Sequence, residues 1–201
     1  GVEYDIEGGR YHMQRKNMSK NADGSTGVDL NRNYGWGWGG GGASPYPDDE
    51  TYRGPAAFSE PESNAVKTFV EARPNLKVMI SYHTFSELIL YPWGGSNDPI
   101  PDAKALKAFQ AMAGEMAKMT GYTPEQSSDL YVATGDTCDW AWGERGIFAF
   151  TFELTPKSMW DGGFYPGPDA VAATFSANIR PALYLIDLSD DPLRAAQEAT
   201  Q

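Results

Sequence analysis

Two apolar runs limit what this chain can fold into: LKVMISYH, ending at His83, and GIFAFTFEL, which carries Glu153 next to its last residue. Both contain β-branched and aromatic residues, and each is short enough to read as a buried strand. ELILYPWG reads as another. Helical patterns separate them. SEPESNAVKTFVEARP has Ser59 placed as an N-cap, Glu62 three residues on as in a capping box, and Pro61 in the first turn. DAKALKAFQAMAGEMAKMTGY sets Leu106, Phe109, Met112, Met116 and Met119 at helical spacing and stops at Gly121, its methionines suiting core packing. PDAVAATFSANIRPALYLIDL predicts a closing helix, with a break or kink before Pro181. Strands alternating with helices imply an α/β fold. Such folds place ligands at strand ends, where His83 and Glu153 sit.

The chain has 201 residues, 41% of them apolar, enough for one domain with a real core. Its formal net charge of −11 argues against a nucleic-acid partner, since phosphate binding needs clustered Lys and Arg. No apolar run is long enough to cross a membrane. A lone cysteine, Cys138, excludes an intrachain disulfide and a cysteine metal cluster, and two histidines, His12 and His83, cannot complete a His-rich metal site.

Glu153 is the sharpest candidate residue, because a carboxylate among FAFTFEL needs a partner, a metal or a proton. A buried salt bridge with an arginine explains it equally well. His83 reads either as a metal ligand or as a hydrogen-bonded core histidine. In GVDLNRNYGWGWGGGGASPYP, Asn31 and Arg32 form an amide–guanidinium pair suited to a carboxylate, against the alternative of an ordinary surface loop. The glycine- and tryptophan-rich part from Tyr34 onward reads as a surface loop leading away from that pair. Arg15 in HMQRKN and Tyr131 in DLYVATGDTCDW are weaker signals, with a solvated basic run and simple packing as their alternatives. Cys138 carries no mark of an activated nucleophile.

Taken in order, GVDLNRNYGWGW, ETYRGPAAFSEPE, SYHTFSELILYPWG, GYTPEQSSDLYVATGDTCDWAWGERGIFAFTFEL and GFYP resemble the zinc carboxypeptidases, the family of pancreatic carboxypeptidases A and B. The bacterial branch typified by carboxypeptidase T is the most similar. The resemblance implies a three-layer α/β fold, a mixed β-sheet flanked by helices, of which residues 1–201 would be the C-terminal two-thirds. It implies removal of C-terminal residues from peptides, with Zn as cofactor, His83 as one zinc ligand, and Glu153 as the general base acting on zinc-bound water. Arg15 would polarise the scissile carbonyl, while Asn31, Arg32 and Tyr131 would hold the terminal carboxylate. Asp136 and Cys138 would line the pocket for the C-terminal side chain, favouring hydrophobic and basic residues; a turn residue is the plainer reading of Asp136. The partners implied are peptide or protein C-termini, and the location implied is secreted.

The family's His-x-x-Glu motif, which would supply two more zinc ligands, is not in the chain: His12 leads into HMQR and His83 into HTFS. The chain is expected to start at the family's NPDG glycine, to lack the first third of the catalytic domain, to be inactive alone, and to need that N-terminal part as a partner. A different class of function stays open beside this one: a binding module or inactive relative. It would bind carbohydrate or peptide C-termini through exposed Trp36, Trp38, Tyr46, Trp93 and Trp160.

Overall fold

A computed structural model describes residues 13–198; His12 and Gly1 lie outside them. Four strands form one mixed sheet: β1 (Val78–Thr84), β2 (Leu88–Tyr91), β3 (Thr123–Gln126) and β4 (Phe148–Leu154), in the order β1-β4-β2-β3. β1 runs parallel to β4, β4 antiparallel to β2, and β2 parallel to β3. The helices are α1 (Pro61–Glu71), α2 (Ala103–Thr120), the single turn α3 (Ser127–Leu130), α4 (Thr137–Arg145), α5 (Ala170–Asp187) and α6 (Ala195–Glu198).

The period-2 alternation of β4 builds the layers. Phe148, Phe150 and Phe152 face one way, into a core with Phe109, Met112 and Met116 of α2 and Leu185 of α5. Ala149 faces the other way, into a second core with Val70 of α1 and Cys138, Trp140 and Ala141 of α4. Thr151 and Glu153 share the parity of Ala149. The large residues of β4 therefore fill one face, and its small and polar residues leave room on the other. β1 follows in register, with Val78 and Ile80 on the first core and Met79 on the second.

Four sequence expectations are corrected here. β1 is half-buried, with Tyr82 exposed, because it has a partner on one side alone among the described residues. The N-cap of α1 is Glu60, one residue after the expected Ser59, and neither side chain caps the helix; the Ser59 hydroxyl bonds the Glu60 carboxylate. Pro181 does not break α5, which runs through it as one helix and buries the proline. One lost backbone hydrogen bond is outweighed by the packing of α5 on α2 and β1.

The fourth correction concerns the glycine-rich loop, which folds back instead of leading away. The Gly42 carbonyl accepts from Arg32 Nε at 2.9 Å, and the Gly41 carbonyl accepts from the Thr134 backbone and hydroxyl, each at 3.0 Å. Trp36 stacks on Trp93 at 5.1 Å, while Trp38 lies under the Arg53 guanidinium and donates to the Arg53 carbonyl. Trp36 and Trp38 belong to the loop and Trp93 to the segment after β2; Trp36, Tyr46 and Trp160 are exposed.

Candidate active site

The parallel register of β1 and β4 brings His83 and Glu153 opposite each other at the C-terminal ends of both strands. His83 Nδ1 lies 4.0 Å from Glu153 Oε1, and its Nε2 is 2.9 Å from the Ser81 hydroxyl. Glu153 is 8% exposed. Burial raises its pKa to about 7, against the opposing pull of Arg15. Among the described residues no arginine bridges Glu153, and the charged partner within 4.0 Å is His83. Burial, reinforced by the positive Arg15, lowers the pKa of His83 and keeps its imidazole neutral near pH 7.

Arg15 enters from the segment before the glycine-rich loop. Its Nε and Nη2 donate to Asp29 Oδ2 at 3.0 and 2.7 Å. Burial disfavours the charge, but the Asp29 carboxylate overcomes it and the guanidinium pKa is raised. The other oxygen of Asp29 accepts from the Asn31 backbone and caps a 3-10 turn, Leu30–Arg32. One aspartate thus positions both Arg15 and the Asn31–Arg32 pair. Sequence reasoning missed it; the available signal was its place just before the turn, where an Asp N-cap is favoured.

Asn31 is fixed by its carbonyl oxygen, which accepts from the Thr137 backbone and hydroxyl at 3.1 and 3.0 Å, leaving the Nδ2 donor without a partner among the described residues. Arg32 is 3% exposed, donates from Nε to Gly42 and from Nη1 to its neighbour's carbonyl at 2.7 Å, and has no carboxylate partner among the described residues. Its guanidinium lies 5.8 Å from the ring of Tyr131, a residue more than half exposed. Gly135 holds the turn from beneath: its φ is +73°, and a side chain there would strike the Arg32 carbonyl.

Asp136 is the N-cap of α4. Its Oδ1 accepts from Cys138 N and Asp139 N at 2.9 and 3.0 Å, while its Oδ2 is buried without a partner. Burial raises its pKa, opposed mainly by those N–H groups and by Arg32.

A cavity of about 340 Å³ joins these groups. Arg15, Asn31, Arg32, His83, Tyr131, Asp136 and Glu153 all line it, with Thr151, Phe85 and Phe164 among the remaining walls. Cys138 does not. It is 1% exposed, and its Sγ sits 3.2 Å from the Thr151 hydroxyl, so Thr151 presents the surface expected of the thiol. Burial raises the thiol pKa far above its ordinary value.

A buried carboxylate that holds its proton near neutrality, an imidazole and two guanidinium groups around one cavity suit hydrolysis of an anionic substrate. The family model for zinc carboxypeptidases matches residues 1–179. The chain is 37% identical to the zinc carboxypeptidase of Saccharothrix mutabilis subsp. capreolus over 198 residues, covering 94% of this chain and 45% of that protein. It is 42% identical to carboxypeptidase A5 of Macaca fascicularis over 132 residues, 64% of this chain and 30% of that one. The crystal structure of thrombin activatable fibrinolysis inhibitor matches with a TM-score of 0.81 at 31% identity, over 96% of this chain and 51% of that one. The chain belongs to the zinc carboxypeptidase family, and its mixed sheet flanked by helices is the fold of such enzymes. It spans less than half the length of the two curated relatives just described.

The described residues do not fit zinc by themselves. A catalytic zinc takes three protein ligands. His83 offers one, and no group of three or more His, Cys, Asp or Glu among the described residues could hold a metal ion.

Proposed function

We propose that this chain carries the substrate clamp and the general base of a metallocarboxypeptidase that removes hydrophobic and basic C-terminal residues from peptides. The observation that carries this reading is the buried, carboxylate-free guanidinium of Arg32 in the same cavity as Glu153. Arg32 and the Asn31 Nδ2 donor suit a terminal carboxylate, and Tyr131, largely exposed above Arg32, suits a cover for it. Arg15 would stabilise the negative charge developing on the scissile carbonyl. Glu153, with a pKa of about 7, would take a proton from the attacking water and return it to the leaving amine. The unpartnered Asp136 Oδ2 would accept from a basic C-terminal side chain, and the apolar walls would accommodate a hydrophobic one.

Zinc chemistry in this reading needs two ligands from outside the described residues, and the His-x-x-Glu motif is what the resemblance implies. The surface supports such a partner segment. β1 has a free edge among the described elements, and Val171, Phe175, Ile179, Leu183 and Ile186 form an exposed apolar stripe along α5. A segment bearing further strands, paired onto β1 and packed over that stripe, would bring the ligands to His83. In this reading the chain alone is inactive and the whole enzyme is secreted; no described helix is long and apolar enough to cross a membrane.

The test is titration of the chain with a peptide and with its C-terminally amidated form. The free carboxylate should bind better, and Arg32→Ala should erase that advantage, a loss of roughly 10- to 100-fold for a charge-assisted bond. Equal binding of the two forms by the unmutated chain would sink the clamp assignment.

A further inference from the structure

Asp139 has no part in the reading so far, yet both of its carboxylate oxygens are engaged beside the cavity. It is 2% exposed on the first turn of α4. Its Oδ1 accepts from Gly94 N and its Oδ2 from Gly95 N, both at 2.8 Å. Gly94 lines the cavity, and its carbonyl in turn accepts from Ala133 N at 2.9 Å. Asp139 therefore ties the segment leaving β2 to the start of α4. Its backbone N–H donates to Asp136 Oδ1 at 3.0 Å, which makes the two carboxyls neighbours on one turn, and Asp136 Oδ2 lies beside Gly94.

We infer that Asp139 is a positioning residue for side-chain selectivity. It fixes the Gly94–Gly95 wall and, by sharing a proton with Asp136, sets the negative charge that Asp136 presents to a bound side chain. This rests on the proposed reading of Asp136 as the acceptor for basic residues.

Two neighbouring buried carboxyls cannot both ionise cheaply, so they titrate as a pair. Burial and the charge of Asp136 raise the Asp139 pKa to about 8. As pH rises through that value the pair loses a proton and gains a negative charge. The groups facing the pair are few. Asp136 and Cys138 come from α4 itself, and Arg32 comes from the 3-10 turn. Tyr34 faces Asp136, and Asp98 shares a second cavity with Asp139 on its far side. Gly94 and Gly95 contribute only backbone. A cationic C-terminal side chain therefore gains from the added charge, whereas an apolar one does not.

The probes are N-benzoylglycyl-lysine and N-benzoylglycyl-leucine, titrated against the chain at pH 6.5 and 9. The ratio of lysine to leucine affinity cancels effects common to both, including titration of Glu153. It should rise roughly tenfold between the two pH values, the scale of one added charge near the ligand. Asp139→Asn should abolish that rise, and Asp136→Asn should remove the lysine preference at both. A purely structural role would weaken both ligands alike and leave the rise in place, which would overturn the inference. A lysine preference indifferent to Asp136→Asn would overturn the underlying reading of Asp136, and this inference with it. Dependence on Asp136 with an unchanged rise in Asp139→Asn would overturn this inference alone. Should Asp139→Asn fail to fold, the unmutated chain decides: a ratio flat from pH 6.5 to 9 refutes the proton-sharing pair.

Discussion

The two ends of the cavity are built to different degrees of completion. At the clamp, Asp29 Oδ1, the Asn31 oxygen, Arg32 Nε and Asp136 Oδ1 are all held by contacts from within this chain. What remains free among the described residues is what a substrate would need: one amide donor, part of a guanidinium and one carboxylate oxygen. At the His83–Glu153 end, a single imidazole stands 4.0 Å from the carboxylate on an edge strand beside an uncovered apolar helix face. A clamp made of local turns and one helix cap can preorganise inside this chain. A three-ligand metal centre cannot form from the described residues, among which no group of three His, Cys, Asp or Glu could hold a metal ion.

The largest effect should come from this asymmetry. Dialysed against zinc, the chain alone should retain well under one equivalent and hydrolyse C-terminal residues negligibly. Co-expression with a segment carrying a His-x-x-Glu motif should restore both, and Glu153→Gln in that complex should then cut turnover by roughly 10²- to 10⁴-fold, the usual worth of a general base. One equivalent of tightly held zinc with turnover in the chain alone would break the comparison.

A smaller effect separates the ends by pH. The Asp139 carboxyl is raised in the fold from its ordinary 3.8 to about 8, so the folded state holds a proton that the unfolded chain releases. The sign follows: its contribution is fully present below about pH 4 and is lost as pH rises through 8. Urea unfolding should therefore show stability falling between those values, by on the order of a few kcal/mol. Glu153, raised to about 7, adds a decline of the same sign at the other end of the cavity. Asp139→Asn should remove the part of the slope near pH 8 and keep the part due to Glu153. A slope unchanged near pH 8 would place the proton elsewhere.

Much of this architecture was legible because side-chain periodicity reports it. The alternation Phe148, Phe150, Phe152 against Ala149, Thr151, Glu153 is written in one seven-residue strand, and so is the polar end that bears Glu153. The cavity also gathers Arg15, Asn31, Arg32, Tyr131 and Asp136, residues far apart in the chain that were singled out by type and by resemblance. The edge position of β1 was not legible, since a strand does not encode how many neighbours it has. The return of the glycine-rich loop was hidden because it is made by the carbonyls of Gly41 and Gly42, and carbonyls leave no mark in a sequence. Asp139 did leave a mark: in DTCD it stands three residues after an N-cap aspartate, at the start of a helix where an acid is favoured.

The smallest effect expected is at Cys138, where sequence and structure part over a single side chain. As a member of the side-chain pocket, Cys138 should alter the ratio of lysine to leucine affinity on substitution. In the structure its sulfur is screened from the cavity by Thr151 and packed with Trp140 and Ala149 in the second core. Cys138→Ala should therefore cost stability, about 1 kcal/mol for a small buried group, and leave the ratio within about twofold. Thr151→Val, which keeps the shape and removes the hydroxyl that lines the cavity, should move the ratio more. If Cys138→Ala shifts selectivity and Thr151→Val does not, the pocket floor lies one residue deeper than the structure places it. The sulfur would then be reached only when a bound side chain displaces Thr151.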